Sequence, residues 1–506
     1  MTDSLGWFDL LIVLSYFAVV IAVGLRFGRN SEEKNLHNYI SGGRRVPWVA
    51  VLGSLVATEI SAATFLATPG VGYSENMGFL QMGVGSILAR IFIAIFFLGA
   101  FYQLRYLSIY QYLADRFGGG SQRTAAVFFL LSRLMASAVR LMIAATGLHV
   151  ILGFPFFWTV AGFAILCLIY AGWGGIKAVI WTDCVQGIVF LTAAVVMVGV
   201  LQAHVGWGDI LLTGAETGRL EIFQWRPGEG VLMDANWFFL MALFGFVNTL
   251  AMMGTDHDFT QRVLTCKNVR EARRGVVLSG FIAIPVATLF LLIGIGLFVY
   301  YQQIGEAGLP MKMIGDESVV DSDKVFPHFI ATALPNGLVG LMLCGVLAAA
   351  MSSLDSAMAA LSSSVVVDLF KPLSKKGIDP SRQVWIARGF MLVVTVFLVG
   401  VALLLQHGGQ FIWLAFKVAG VTYSGLLGVF LVGLLTKRGN DCWNLVAMFS
   451  GCGCTLILLL LAENGVIPLA WQWPMLFGVS LTFLLGILPK PRQVIVDSSA
   501  ETLKLN

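Results

Sequence analysis

Residues 348 to 364 read AAAMSSLDSAMAALSSS. Ser352, Ser353, Ser356, Ser362, Ser363, Ser364 and Asp355 interrupt an otherwise apolar segment. On a helix, Ser352, Asp355, Ser356 and Ser363 fall on one stripe, with Ala349 and Ser353 on an adjacent one. Hydroxyl, carboxylate and carbonyl oxygens are hard donors that suit a small hard cation such as sodium, and the segment has no Cys or His to favour a softer metal. The competing reading is structural: serines in membranes bond back to the carbonyl four residues earlier, or join helices, for under ~1 kcal/mol each. So many polar groups in one segment, one of them a carboxylate, strain that reading.

Other ionisable residues lie within the apolar runs, namely Glu59, Arg90, Arg133, Arg140 and Lys417, while Asp183 opens its span from the cytoplasmic side. At 1.5 Å per residue, Arg90 is about 18 Å into its run and Arg140 about 24 Å into its own. Each costs at least ~2.5 to 3.5 kcal/mol near the bilayer centre, so each must face protein or water. Asp256-His257-Asp258 reads better as a structural polar cluster than as a metal site, and Cys452-x-Cys454 has no second cysteine pair nearby. Nowhere do a His, an acid and a nucleophile converge at one depth as a membrane enzyme requires.

The elements that must position these groups are transmembrane helices. The chain has 506 residues, 58% hydrophobic and 12% charged, with a mean hydropathy of +0.85. Apolar runs long enough to cross ~30 Å of hydrocarbon recur from end to end. Thirteen spans are expected, at about 7 to 27, 48 to 70, 78 to 104, 124 to 152, 155 to 173, 183 to 204, 237 to 255, 275 to 300, 337 to 367, 384 to 405, 409 to 435, 441 to 462 and 471 to 488. MTDSLGW has no basic n-region, so the first run reads as a retained span.

Basic residues then orient the chain. Arg26, Arg29, Lys34, Arg44 and Arg45 fall on one side with Arg105, Arg116, Arg123, Arg262, Lys267, Arg270, Arg273 and Arg274. Lys371, Lys375, Lys376, Arg382, Lys437, Arg438, Lys490 and Arg492 join them, whereas the other side has Arg219, Arg226, Lys312 and Lys324. The positive-inside rule places the N-terminus outside and the C-terminus in the cytoplasm, which suits a multi-pass protein of the cell membrane. The net charge of +4 is therefore a topological asymmetry in a lipid-embedded chain and no sign of nucleic-acid binding.

Two spans read as interrupted. The second, AVLGSLVATEISAATFLATPGVGY, places Glu59, Ser61 and Thr64 midway and ends on Pro69-Gly70. The seventh, FFLMALFGFVNTLAMMGTDHDF, places Gly245 and Asn248 midway. Broken spans in matching halves point to an inverted-repeat transporter, although small residues that only let helices pack closely would read the same way.

The segments ATEISAATFLATPGVGY (57 to 73), GGIKAVIWTDCVQG (174 to 187), DHDFTQRVLTCKNVREARR (256 to 274), AAAMSSLDSAMAALSSS and GVFLVGLLTKR (428 to 438) resemble those of the sodium:solute symporter family, across nearly all the spans. The resemblance implies one all-α membrane domain with a LeuT-type fold of two inverted five-helix repeats. Residues 1–47 would be an added span and link, 48–204 the first repeat, 205–236 an outer loop, 237–436 the second repeat, and 437–506 two added spans and a short tail.

By the same resemblance, sodium would bind the carbonyls of Ala57, Ile60 and Ala349 and the hydroxyls of Ser352 and Ser353. A second sodium would use Asp183, Ser352, Asp355 and Ser356, where relatives have a serine in place of Asp355; the added carboxylate would tighten a cation site or instead hold a proton. The solute would meet Glu59, Ser61, Thr64, Gln81, Arg140, Asn248 and Lys417. Arg140 would capture a substrate carboxylate, or else be neutralised by Glu59 and leave a neutral solute. Lys417 would bind solute or act as an internal tethered cation. Arg90, Arg140 and Lys417 set against Glu59, Asp183 and Asp355, with at least one of these anions given to sodium, leave positive charge unmatched, which leans toward an anionic or zwitterionic solute such as a sialic acid, a monocarboxylate or an amino acid. The expected function is sodium-driven import by a monomer through alternating access, with a sugar or polyol symporter or a proton-coupled carrier as the alternative.

Overall fold

The computed structural model describes residues 6–28, 42–103, 106, 108–171, 175–228, 230–314, 317–370, 380–406 and 411–489. Of the residues used for orientation, Arg29, Lys34, Arg105, Lys371, Lys375, Lys376, Lys490 and Arg492 lie outside these, as does Gly174 of one family-like segment.

The chain is built of helices: α1 (Trp7–Gly28), α2 (Trp48–Glu59), α3 (Thr68–Ser74), α4 (Gln81–Phe92), α5 (Gly119–Leu152), α6 (Phe156–Ala171), α7 (Ile176–Val205), α8 (Phe238–Gly254), α9 (His257–Val263), α10 (Val269–Ile304), α11 (Ser322–Ala333), α12 (Leu338–Ser364), α13 (Pro380–Leu405), α14 (Phe411–Leu435), α15 (Asp441–Glu463) and α16 (Trp473–Ile487). Among the described residues nine helices are long and apolar enough to cross a membrane, or eleven if each of two bent pairs is one span. Phe156–Leu168 and Trp473–Ile487 are shorter apolar helices, so the thirteen expected spans are reached only by counting these two as crossings.

Both interruptions occur, but not both where the residues suggested. The second span breaks after Glu59 and resumes as a π turn (Ala63–Ala67) leading into α3, a 55° bend. Pro69 does not end it: it occupies the first turn of α3, where a missing N–H costs nothing. In the seventh span α8 runs unbroken through Gly245 and Asn248, and the 67° bend lies between Gly254 and His257, with the Asp256 side chain capping α9 through the Asp258 N–H. Gly245 serves close packing instead. A Cβ there would lie 2.2 Å from the Met82 carbonyl oxygen, and one on Gly85 of α4 would lie 1.8 Å from that of Ala242. The first broken span meets α10 in the same manner, through Gly72 against Leu291 and Gly294 against Pro69.

At the centre is α12, every residue of which is buried from Met342 to Ser364. Its polar stripe therefore faces protein, against α2, α5, α7 and α9. The first helix holds its start: Asp9 Oδ1 accepts from the Gly337 and Gly340 N–H groups at 2.7 and 2.6 Å, satisfying donors a helix N-terminus leaves open.

Between α10 and α12 lie a two-stranded antiparallel hairpin, β1 (Met311–Ile314) and β2 (Glu317–Val320), which the residues had not suggested, and then α11. Asp323 of α11 accepts the Phe411 N–H at 3.1 Å and so caps α14. Burial pushes the Asp323 carboxyl up to about 7; nearby Asp321 adds to the rise, while the Phe411 N–H, Lys312 and Lys324 oppose it. The folded state thus holds this proton more tightly than the unfolded chain, whose carboxyl titrates near ~4. The associated stability is full below pH ~4 and lost as pH rises through about 7. Asp323→Asn keeps an acceptor for Phe411 but no titration. Its melting temperature is expected to vary less than wild type's across this range, and identical pH profiles would contradict the assignment.

Candidate ion and solute site

The break in the second span is where the site begins. A helix end leaves its last carbonyls without ladder partners. Here Ile60 N–H still reaches the Val56 carbonyl at 3.0 Å, but the Ala57 carbonyl has no helical donor and accepts the Ser352 hydroxyl of α12 at 3.0 Å. Ser352 also lies 3.3 Å from the Ala349 carbonyl, and Ser353 bonds back to Ala350 at 3.0 Å and Ala349 at 3.5 Å. Four of the five residues expected to hold the first sodium are thus joined through hydroxyl–carbonyl contacts, and Ile60 caps the broken end beside them. Ser352 and Ser353 are fully buried.

The residues expected to hold a second ion are also buried together, but they do not stand alone. Asp183 Oδ2 accepts from Ser54 at 2.5 Å and pairs with Arg262 at 3.2 Å. Ser356 bonds to the Ser352 carbonyl at 2.8 Å and lies 3.5 Å from Asp258. Asp355 Oδ1 accepts its neighbour's N–H at 2.6 Å. Asp183 Oδ1 and Asp355 Oδ2 are buried with no hydrogen-bond partner among the described residues, as are both amide atoms of Gln186 one turn further along α7.

Arg262 had been assigned to the cytoplasmic charge excess, yet it is fully buried. Its guanidinium bridges Asp183 to Asp258, and Arg133 of α5 meets Asp258 from the other side, with Asp256 at 3.5 Å. Tyr423 of α14 donates to Asp256 at 2.6 Å. Two arginines, three aspartates and a tyrosine thus tie α5, α7, α9 and α14 together at the second bend. The i, i+4 spacing of Asp258 and Arg262 was the available signal for this clasp; the run of basic residues after Arg262 masked it. His257 fills the clasp's edge between Tyr110 and Phe129, and among the described residues no group of three or more His, Cys, Asp or Glu could hold a metal ion.

Beside the break lies a cavity of ≈ 170 Å³ lined by Glu59, Ser61, Thr64, Asn248 and Arg140. Ser86 and Thr249, which sequence reasoning missed, also line it, joined to each other at 3.0 Å. Ser61 accepts the Ala63 N–H at 3.3 Å, which leaves its own proton free to donate. The rest of the wall is largely apolar, including Phe79, Leu80, Met252, Ile284 and Phe416.

Arg140 is not neutralised by Glu59. Glu59 pairs instead with the fully buried Arg90 of α4, which also donates to Ser279 at 2.7 Å. Arg140 enters none of the ion pairs among the described residues, and its Nη1 is buried without a partner. Gln81 and Lys417 do not line the cavity. Gln81 ties down the segment that leads into α8, donating to the Asn236 carbonyl at 2.9 Å and accepting the Gln224 N–H at 3.2 Å. Lys417 pairs with the half-exposed Glu463 at 2.5 Å, its long stem carrying the charge toward the helix ends.

Bent helices around a cavity that carries a few polar groups, with a hydroxyl of one helix bonded to a freed carbonyl of another, are the architecture of a secondary transporter. The profile of the sodium:solute symporter family matches residues 39–451, and the chain belongs to this family. It is 29% identical over 444 residues to the sodium/sialic acid symporter of Proteus mirabilis (86% of each chain) and 27% identical to the sodium/glucose cotransporter of Vibrio parahaemolyticus (86% of this chain, 82% of that one). It is 26% identical to human sodium-coupled monocarboxylate transporter 1 (88% and 72%). The fold superposes on the substrate-bound outward-open state of a Na+-coupled sialic acid symporter with a TM-score of 0.84 at 24% identity, covering 96% of this chain and 100% of that one. The protein is a sodium-coupled solute symporter of the membrane.

Replacing Asp258 by Asn removes the carboxylate that two buried guanidiniums share. Breaking a buried pair costs about 3–5 kcal/mol, so D258N is expected to lower the midpoint of thermal unfolding in detergent markedly. An unchanged midpoint would mean the clasp does not hold.

Proposed function

We propose that the protein imports a small carboxylate-bearing solute with sodium by alternating access. The observation that carries this reading is Arg140: a guanidinium in the cavity wall, outside every ion pair among the described residues, with a buried unpartnered N–H. A planar fork of donors fits a carboxylate through two parallel bonds, and the named relatives include sialic acid and monocarboxylate symporters.

Sodium binds the carbonyls of Ala57, Ile60 and Ala349 and the hydroxyls of Ser352 and Ser353. By joining the broken span to α12 it favours one arrangement of the two halves over the other. That difference in affinity is the whole source of coupling, since an ion that binds both states equally shifts nothing. The second cation site comprises Asp183, Ser352, Asp355 and Ser356; the unpartnered carboxylate oxygens of Asp183 and Asp355 support it. A proton on this carboxylate pair is the second reading, supported by the same two oxygens. The inverted five-helix repeats are supported by the reciprocal glycine packing of each broken span on a helix of the other half. The N-terminus lies outside, the C-terminus in the cytoplasm, and the protein works as a monomer in the cell membrane.

In proteoliposomes with an inward sodium gradient, Ser352→Ala and Ser353→Ala are expected to raise the sodium concentration for half-maximal uptake more than the solute concentration. Arg140→Gln is expected to weaken carboxylate binding about tenfold to a hundredfold, the worth of a lost charge-assisted bond. Unchanged sodium activation would remove the ion site, and neutral-solute transport surviving R140Q would reverse the substrate preference.

A further inference from the structure

The Glu59–Arg90 pair is absent from any account of the ions, although it sits at the break itself. Glu59 is part of the cavity wall, with its side chain 18% exposed, while Arg90 is fully buried behind it. The fit is built for the guanidinium: a Cβ on Gly280, a wall residue, would lie 2.7 Å from Arg90 Cδ. Stability does not explain the pair. A buried ion pair is commonly no better than apolar residues of the same volume, and this one is incompletely satisfied, with Glu59 Oε2 and Arg90 Nε buried and partnerless among the described residues.

Charge does explain it. Glu59 or Arg90 alone would set the field felt by any solute in the cavity, because in a water-poor site one unit charge acts over several ångströms. Paired, they cancel, and the cavity is left with Arg140. The neighbouring carboxylates Asp256 and Asp258 are already claimed by Arg133, Arg262 and Tyr423. From this we infer that Arg90 and Glu59 are specificity-determining residues that restrict the solute to a single net negative charge. A monoanion neutralises Arg140, a dianion leaves one negative charge in excess, and a zwitterion brings an ammonium with no unpaired carboxylate in the cavity wall to meet, since Asp183 and Asp355 do not line it. Arg90 acts through Glu59 and Glu59 through the field, so neither need touch the solute. This inference rests on the carboxylate reading of Arg140.

The test is a charge series on one four-carbon body: butyrate, succinate and 4-aminobutyrate, binding to purified full-length protein in sodium by calorimetry. Wild type is expected to bind butyrate tightest. Arg90→Gln frees the Glu59 charge and should shift the butyrate to 4-aminobutyrate affinity ratio about tenfold toward 4-aminobutyrate. Glu59→Gln frees Arg90 and should shift the butyrate to succinate ratio about tenfold toward succinate. Removing both charges in E59Q/R90Q should restore the wild-type order. Ratios within one variant do not depend on how much of it folds, so a structural defect alone leaves them unmoved. Ratios unmoved in both single variants, or an order not restored in the double, overturns the inference and leaves the carboxylate reading standing. Wild type preferring succinate or 4-aminobutyrate does the same. Failure of wild type to bind any carboxylate of the series overturns both.

Discussion

A helix that stops halfway across a membrane leaves peptide oxygens where no water can reach them, and everything near the centre of this protein follows from that. An unsatisfied backbone group in hydrocarbon costs several kcal/mol, and at the break after Glu59 the Ser352 hydroxyl of α12 satisfies one such group. The Ser352 to Ala57 bond is the visible form of that debt. The same oxygens are of the hard type that a sodium ion seeks, which is why the broken span is the proposed site. Because the contact joins one half of the molecule to the other, whatever occupies it biases how the halves sit.

The ionic clasp extends this logic to the second bend. Asp183 keeps one oxygen unpartnered and gives the other to the clasp through Arg262. A cation arriving at Asp183 therefore changes the field at Arg262, which shares Asp258 with Arg133. Arg133 and Arg140 lie one heptad apart on α5, the first in the clasp and the second in the cavity wall. The proposed ion sites, the cavity and the clasp thus share residues within a few turns of helix. Coupling needs no remote signal here, only two arrangements of one network that the ligands weight differently.

Much of this was legible because a membrane makes polar residues conspicuous. Ser352, Ser353, Asp355, Glu59, Asp183 and Arg140 stood out against apolar neighbours; the first three and Asp183 are buried, whereas Glu59 and Arg140 line the cavity. Partnership was not legible, because pairing is decided by which helices meet. Glu59 turned to Arg90 and not Arg140, and Asp183 found Arg262, a residue that reads as one more cytoplasmic charge until α9 bends inward. Lys417 seemed deep by residue count, but its flexible stem reaches the half-exposed Glu463. The second bend was misplaced because Gly245 permits close approach and a kink equally, and Asp256 capping a new helix was the stronger signal.

The most direct measurement is a map of the purified protein at high resolution in saturating sodium, compared with one in choline. The account predicts density for an ion among the Ala57, Ile60 and Ala349 carbonyls and the two serine hydroxyls, present only in sodium. A sodium map in which the Ser352 hydroxyl still closes directly onto the Ala57 carbonyl, with no ion between α2 and α12, would contradict it.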